Sequence, residues 1–135
     1  MSTRSNIARQ NADGTIDYIY CHSDGYLSHN GSILLSHYQD AEKVDQLIAL
    51  GDLSFLAPEI GGKHSFEDRN YDVCMAYGRD RGEIGTEARK AERLDKYIAQ
   101  DTEEFCYIYT KDGEWVYRSY SNPNLHLLTA ESCKE

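Results

Sequence analysis

Asn6-Ile7-Ala8-Arg9-Gln10-Asn11-Ala12-Asp13-Gly14-Thr15-Ile16-Asp17-Tyr18-Ile19-Tyr20-Cys21 is the stretch whose reading decides the fold. Two runs of strand character flank Asp13-Gly14, and Asp-Gly in that setting predicts a β-hairpin, because both turn positions favour positive φ. Successive strand side chains point to opposite faces. Ile16, Tyr18 and Tyr20 therefore share one face, and Asp17, Ile19 and Cys21 the other. Apolar groups on both faces predict a central strand rather than an edge.

The same signal returns in the last third. Residues 105–110 and 115–120 flank Lys111-Asp112-Gly113-Glu114, a second Asp-Gly turn. Between the hairpins the periodicity turns helical. Asn30 or Gly31 can start a helix carrying Leu34, Leu35 and Tyr38. Asp40 is an N-cap for residues 41–50, where Ala41, Val44, Leu47 and Ile48 recur at helical spacing and Gly51 closes the end. Thr86 can cap a further helix with Ala88, Ala91, Leu94 and Ile98 on one face. Residues 52–85 are glycine-rich and irregular, with a short strand expected over residues 71–77. The order β-β-α-α, irregular, α-β-β predicts one α+β domain over residues 1–135. Its mostly antiparallel sheet would be built from the N- and C-terminal hairpins, with two or three helices packed on one face.

At 135 residues the chain can bury roughly two-thirds of its unfolded surface, so no staple is required. No apolar run is long enough to span a bilayer, and the N-terminal residues lack a signal-peptide stretch, so a cytoplasmic protein without membrane contact is expected. Cys21, Cys74, Cys106 and Cys133 are widely spaced and form no CxxC pair. Reduced thiols are expected, with no metal and no cofactor. With 23 acidic and 14 basic side chains the formal charge is −9, which argues against non-specific nucleic-acid binding. An acidic surface either keeps a protein soluble or meets a basic partner.

Two short motifs could carry chemistry. In Tyr20-Cys21-His22-Ser23-Asp24-Gly25-Tyr26, His22 and Asp24 lie two apart at a strand end. There Asp24 could orient His22 as a general base, while Asp24-Gly25 also reads as plain turn chemistry. In Tyr77-Gly78-Arg79-Asp80-Arg81-Gly82-Glu83, Arg79 and Arg81 could clamp a phosphate or carboxylate, or pair with Asp80 and Glu83. His64, in Gly61-Gly62-Lys63-His64-Ser65, could join such a site. Tyr107, Tyr109, Tyr117 and Tyr120 near Trp115 could stack on bases or simply stabilise the sheet. No residue set announces an enzyme.

Ser2-Thr3-Arg4-Ser5-Asn6-Ile7-Ala8, Tyr20-Cys21-His22-Ser23-Asp24-Gly25-Tyr26 and Gly78-Arg79-Asp80-Arg81-Gly82-Glu83 together resemble a group of small proteins of tailed phages and prophages. Ser23 and Leu27 stand where that group often has Trp and Pro. The resemblance implies a phage context and carries no activity. In that context a small acidic protein without enzyme signatures is expected to bind, and to counter host defence. It would block a host defence protein in the manner of an anti-CRISPR, or sequester a nucleotide signal. The candidate ligand-binding residues are Arg79, Arg81, Tyr26, His22 and His64, the arginines on phosphate and a tyrosine stacked on the base. The alternative is a small nucleotide-processing enzyme with His22 as base, Asp24 as its orienter and both arginines on substrate phosphate. A structural accessory acting through homo-oligomer contacts is a third reading.

Overall fold

The computed structural model describes residues 3–63, 65, 67, 72–100, 103–120 and 122–134, with the side chains of 99, 100 and 123 left aside. The opening hairpin is β1 (Ser5–Gln10) and β2 (Ile16–Cys21), paired antiparallel with Ile7 opposite Ile19 and Ala8 opposite Tyr18. Its turn differs in one respect from the expectation. Only Gly14 takes a positive φ, at 90°, after a tight turn in which Gly14 N–H donates to Asn11 O at 2.9 Å. Asp13 instead caps the turn, its carboxylate accepting from the Thr15 N–H at 3.0 Å and hydroxyl at 2.6 Å. The second hairpin, β6 (Phe105–Tyr109) and β7 (Trp115–Ser119), closes in the same way around Gly113.

These hairpins lie side by side because β1 pairs with β6 in parallel. The remaining strands are β3 (Leu53–Phe55), β4 (Met75–Ala76), β5 (Arg89–Ala91) and β8 (Asn122–Leu127). They complete a mixed eight-stranded sheet of order β4-β3-β2-β1-β6-β7-β8. The outer edge of β2 is shared between β5, along Ile16–Tyr18, and β3, at Cys21. As its two apolar faces require, β2 is central. The class is α+β.

A π-helical turn (Leu27–Gly31) runs into α1 (Ser32–His37), followed by α2 (Ala41–Ala49), α3 (Tyr77–Arg81) and α4 (Leu94–Gln100). The Asp40 carboxylate caps α2 by accepting from Glu42 N–H, as the sequence predicts. Val44, Leu47 and Ile48 then face Ile7, Ile19, Leu53, Tyr107 and Trp115 in the larger core. Each such fully buried aliphatic contributes roughly 1.5–3 kcal/mol. On the opposite sheet face Ala8, Ile16, Cys106 and Ile108 form a smaller cluster with Tyr97 of α4, whose ring centroid lies 4.8 Å from that of Tyr18. Of the C-terminal tyrosines, Tyr107 and Tyr109 serve structure, whereas Tyr120 is 75% exposed. Tyr107 and Tyr109 are buried, with hydroxyls donating to Gly25 O at 2.6 Å and Gln39 O at 3.2 Å.

Two expected elements are corrected. The helix from Thr86 begins only at Leu94, because residues 89–91 pair antiparallel with β2 and bury Ala91 opposite Ile16. The expected strand over residues 71–77 is confined, among the described residues, to Met75–Ala76. At Tyr77 the chain turns helical, because the Asp80 carboxylate reaches back to accept from Ala76 N–H at 2.8 Å.

Burial pushes the Cys21 thiol up to about 12 and raises the hydroxyls of Tyr38 and Tyr107 too. An unfolded thiol titrates near 8.5, so the unfolded chain loses this proton first. Stability is therefore expected to fall as pH climbs from about 9 towards 12, the window between the two values. Urea midpoints across that range read the slope. Cys21→Ala should make it shallower, and an unchanged slope would count against this assignment.

Candidate functional site

The end of β2 places His22 where the sequence motif suggests, but with a different partner. The Tyr20 hydroxyl, whose pKa burial raises, shares a hydrogen bond with His22 Nδ1 at 2.8 Å. Among the described residues no hydrogen bond joins His22 to Asp24, nor His22 to Arg79 or Arg81. Asp24 sits in the left-handed region at φ 56°, and its carbonyl accepts from Asn30 N–H at 3.3 Å. It shapes the turn. Asn30, fully buried, ties that turn to β1 by donating to Ser5 Oγ at 3.2 Å. Tyr26 is 41% exposed and meets His29 edge-on at 6.0 Å. His64 lies outside the described residues.

The two arginines part company because residues two apart on a helix face different ways. Arg79 points inward. Its Nε donates to Asp80 Oδ1 at 2.9 Å, one terminal nitrogen to the carbonyls of Ile60 at 2.7 Å and Gly61 at 3.0 Å, and the other to Cys74 O at 2.7 Å and Asp80 Oδ2 at 3.1 Å. A guanidinium has five N–H groups, so every one is engaged within the protein and none faces a phosphate. Arg81 points outward, pairs with the Glu83 carboxylate and lies 5.1 Å over the Tyr77 ring.

What Arg79 holds is one wall of a groove. Asp40, Glu42, Lys43 and Gln46 of the α2 side face Glu59, Ile60 and Gly61 across an open volume of about 650 Å³. The far wall is pinned from behind by Arg79 and by a bridge in which Glu59 N–H donates to Asp72 O at 3.1 Å and Cys74 N–H to Glu59 O at 2.9 Å. The single cation of the lining is turned away. The Lys43 ammonium donates to His37 O and Pro58 O, each at 2.8 Å, and sits 4.4 Å over the Tyr38 ring. Three carboxylates, Asp40, Glu42 and Glu59, therefore set the sign of the groove.

Sequence reading missed this groove because its walls are far apart in the chain. The only signal was the run of acids at Asp40, Glu42 and Asp45, and of these Asp45 is paired with Arg9 at 2.9 Å. Among the described residues no three His, Cys, Asp or Glu side chains gather as metal ligands would, and no helix is long and apolar enough to cross a membrane.

The fold and the groove define a mixed-sheet α+β protein with a pinned acidic cleft. No family model, no curated protein and no solved structure matches the chain. The phage resemblance thus rests on the quoted motifs alone.

Proposed function

We propose that this chain is a non-enzymatic binding protein whose acidic groove receives a lysine- or arginine-rich segment of a partner protein. The observation that carries the reading is the groove itself, with three carboxylates on its walls and its one ammonium committed to backbone carbonyls. The formal charge of −9 favours the same encounter by steering a basic surface towards the protein. In the phage context that the motifs suggest, the partner is a host defence protein with a basic nucleic-acid channel. Sequestration of a nucleotide signal draws less support, since Arg79 is engaged inward and Arg81 is paired with Glu83. The enzyme reading lacks the His22–Asp24 contact on which it depends.

An arginine nonapeptide titrated into the protein at low salt tests this reading. Glu42→Lys with Glu59→Lys is expected to weaken binding by about 2 kcal/mol, roughly thirtyfold. A control with Glu87→Lys and Glu131→Lys changes the net charge equally but leaves the groove intact. Equal weakening by both pairs would mean that net charge alone is being measured, and would reject the groove.

A further inference from the structure

The acidic groove has a neighbour. Asp40 lines the groove, and the residue before it, Gln39, lines a second open volume of about 340 Å³ bounded by α1, the turn of the second hairpin and the end of β8. Tyr38 is the partition between them. Its hydroxyl donates to Ala57 O at 2.8 Å, and its carbonyl accepts from Trp115 Nε1 at 2.8 Å. The Lys43 ammonium of the groove lies 4.4 Å over its ring, while Trp115 lines the second cavity. Tyr38 is fully buried and bonded at both ends, so it holds the two openings at a fixed spacing.

The lining of this second cavity is selective. Leu35, Tyr109, Trp115, Leu127 and Leu128 make it apolar, and Leu127, 52% exposed, is the side chain an occupant would cover. Its donors are largely spent within the protein. Trp115 Nε1 donates to Tyr38 O, the Tyr109 hydroxyl to Gln39 O at 3.2 Å, and Gln39 Nε2 to Leu35 O at 2.8 Å. Gln39 keeps its side-chain oxygen, and Glu114 adds a carboxylate, the one charge of the lining. An apolar body with an N–H donor matches that chemistry, and an anion does not.

We infer that this cavity takes a tryptophan of the partner segment, an anchor set beside the basic residues in the groove; the inference rests on that reading of the groove. An indole presents a large apolar face and a single N–H, which suits an apolar lining whose polar groups accept. The openings abut at the Gln39–Asp40 peptide, whose Cα atoms lie about 3.8 Å apart. One extended segment, at roughly 3.3 Å per residue, therefore reaches both within a few residues. Tryptophan and arginine are also the residue types that most often dominate binding at protein interfaces. The surface thus reads a basic segment with an adjacent tryptophan, rather than positive charge alone.

Two pairs of nonapeptides test the anchor at fixed salt. Eight arginines are preceded or followed by tryptophan, each against the same peptide with alanine in that place. By calorimetry, tryptophan is expected to tighten binding about tenfold in one of the two orders. Leu127→Gln leaves the charge unchanged, so it should bind the alanine peptides as the parent does and lose the gain. Leu35→Gln repeats the test from the opposite wall, and thermal unfolding checks that both variants fold. Amide shifts of Gly113, Leu127 and Leu128 should move with the tryptophan peptide and stay in place with the alanine one. Equal affinity of tryptophan and alanine peptides in both orders, or a gain that survives both variants, overturns the anchor and leaves the groove standing. Alanine peptides that bind equally to the parent and to Glu42→Lys with Glu59→Lys overturn the groove, and the anchor with it.

Discussion

Replacing Arg79 with alanine is expected to lower stability by about 3–5 kcal/mol, the range for removing one partner of a buried ion pair. The side chain is 17% exposed and that of Asp80 0%, so solvent screens the pair little. The change strands the Asp80 carboxylate, which also accepts from Ala76 N–H at 2.8 Å. It further releases the carbonyls of Ile60, Gly61 and Cys74. Arg79→Lys should recover only part of the loss, because an ammonium has three donors and no planar fork. For 135 residues the melting temperature should drop by roughly 10–20 °C in Arg79→Ala. Added inorganic phosphate should leave the parent curve in place. A loss below about 1 kcal/mol, or a phosphate stabilisation that Arg79→Ala abolishes, would return this residue to the role of an anion clamp.

Gly51→Ala is expected to be nearly as damaging, by about 2–4 kcal/mol, for two separable reasons. Gly51 has φ 77°, where an L side chain is strained by roughly 1 kcal/mol. A Cβ there would also clash with Thr86 O, the acceptor of the 2.8 Å bond from Asp52 N–H. Thr86 cannot retreat without loosening that bond and the chain that leads into β5. Gly82 separates the two terms, since it has φ 72° and a Cβ added there would meet nothing within 4 Å. Gly82→Ala should therefore lose only the conformational part, about 1 kcal/mol. Chemical denaturation of both variants reads the difference, and equal losses would remove the Thr86 contact from the account.

Much of the scaffold was legible because its signals are local. Two Asp-Gly turns fixed two hairpins, and the Asp40 cap with its helical spacing fixed α2. What escaped depends on distant partners. Residues 88–98 carry a helical period, yet the bidentate grip of Arg89 on Asp52, at 2.9 and 2.8 Å, holds the first part against β2 as a strand. The parallel contact of β1 with β6 joins segments about a hundred residues apart and leaves no mark on either. The candidate site failed in the same way. His22 and Asp24 are two apart on paper, but the chain turns between them at φ 56° and His22 binds Tyr20 instead. Arg79 and Arg81 are equivalent only on an extended loop. On α3 one arginine faces the core and the other solvent.

A basic segment received by the groove between α2 and residues 59–61 should perturb the residues that line it. The most direct measurement is a titration of the isotope-labelled protein with an arginine nonapeptide, followed by amide chemical shifts. The largest changes are expected to gather at Glu42, Lys43, Gln46, Glu59, Ile60 and Gly61 and to shrink together as salt is raised. Changes scattered over all exposed carboxylates, or centred on the turns at Asp13 and Asp112, would contradict it.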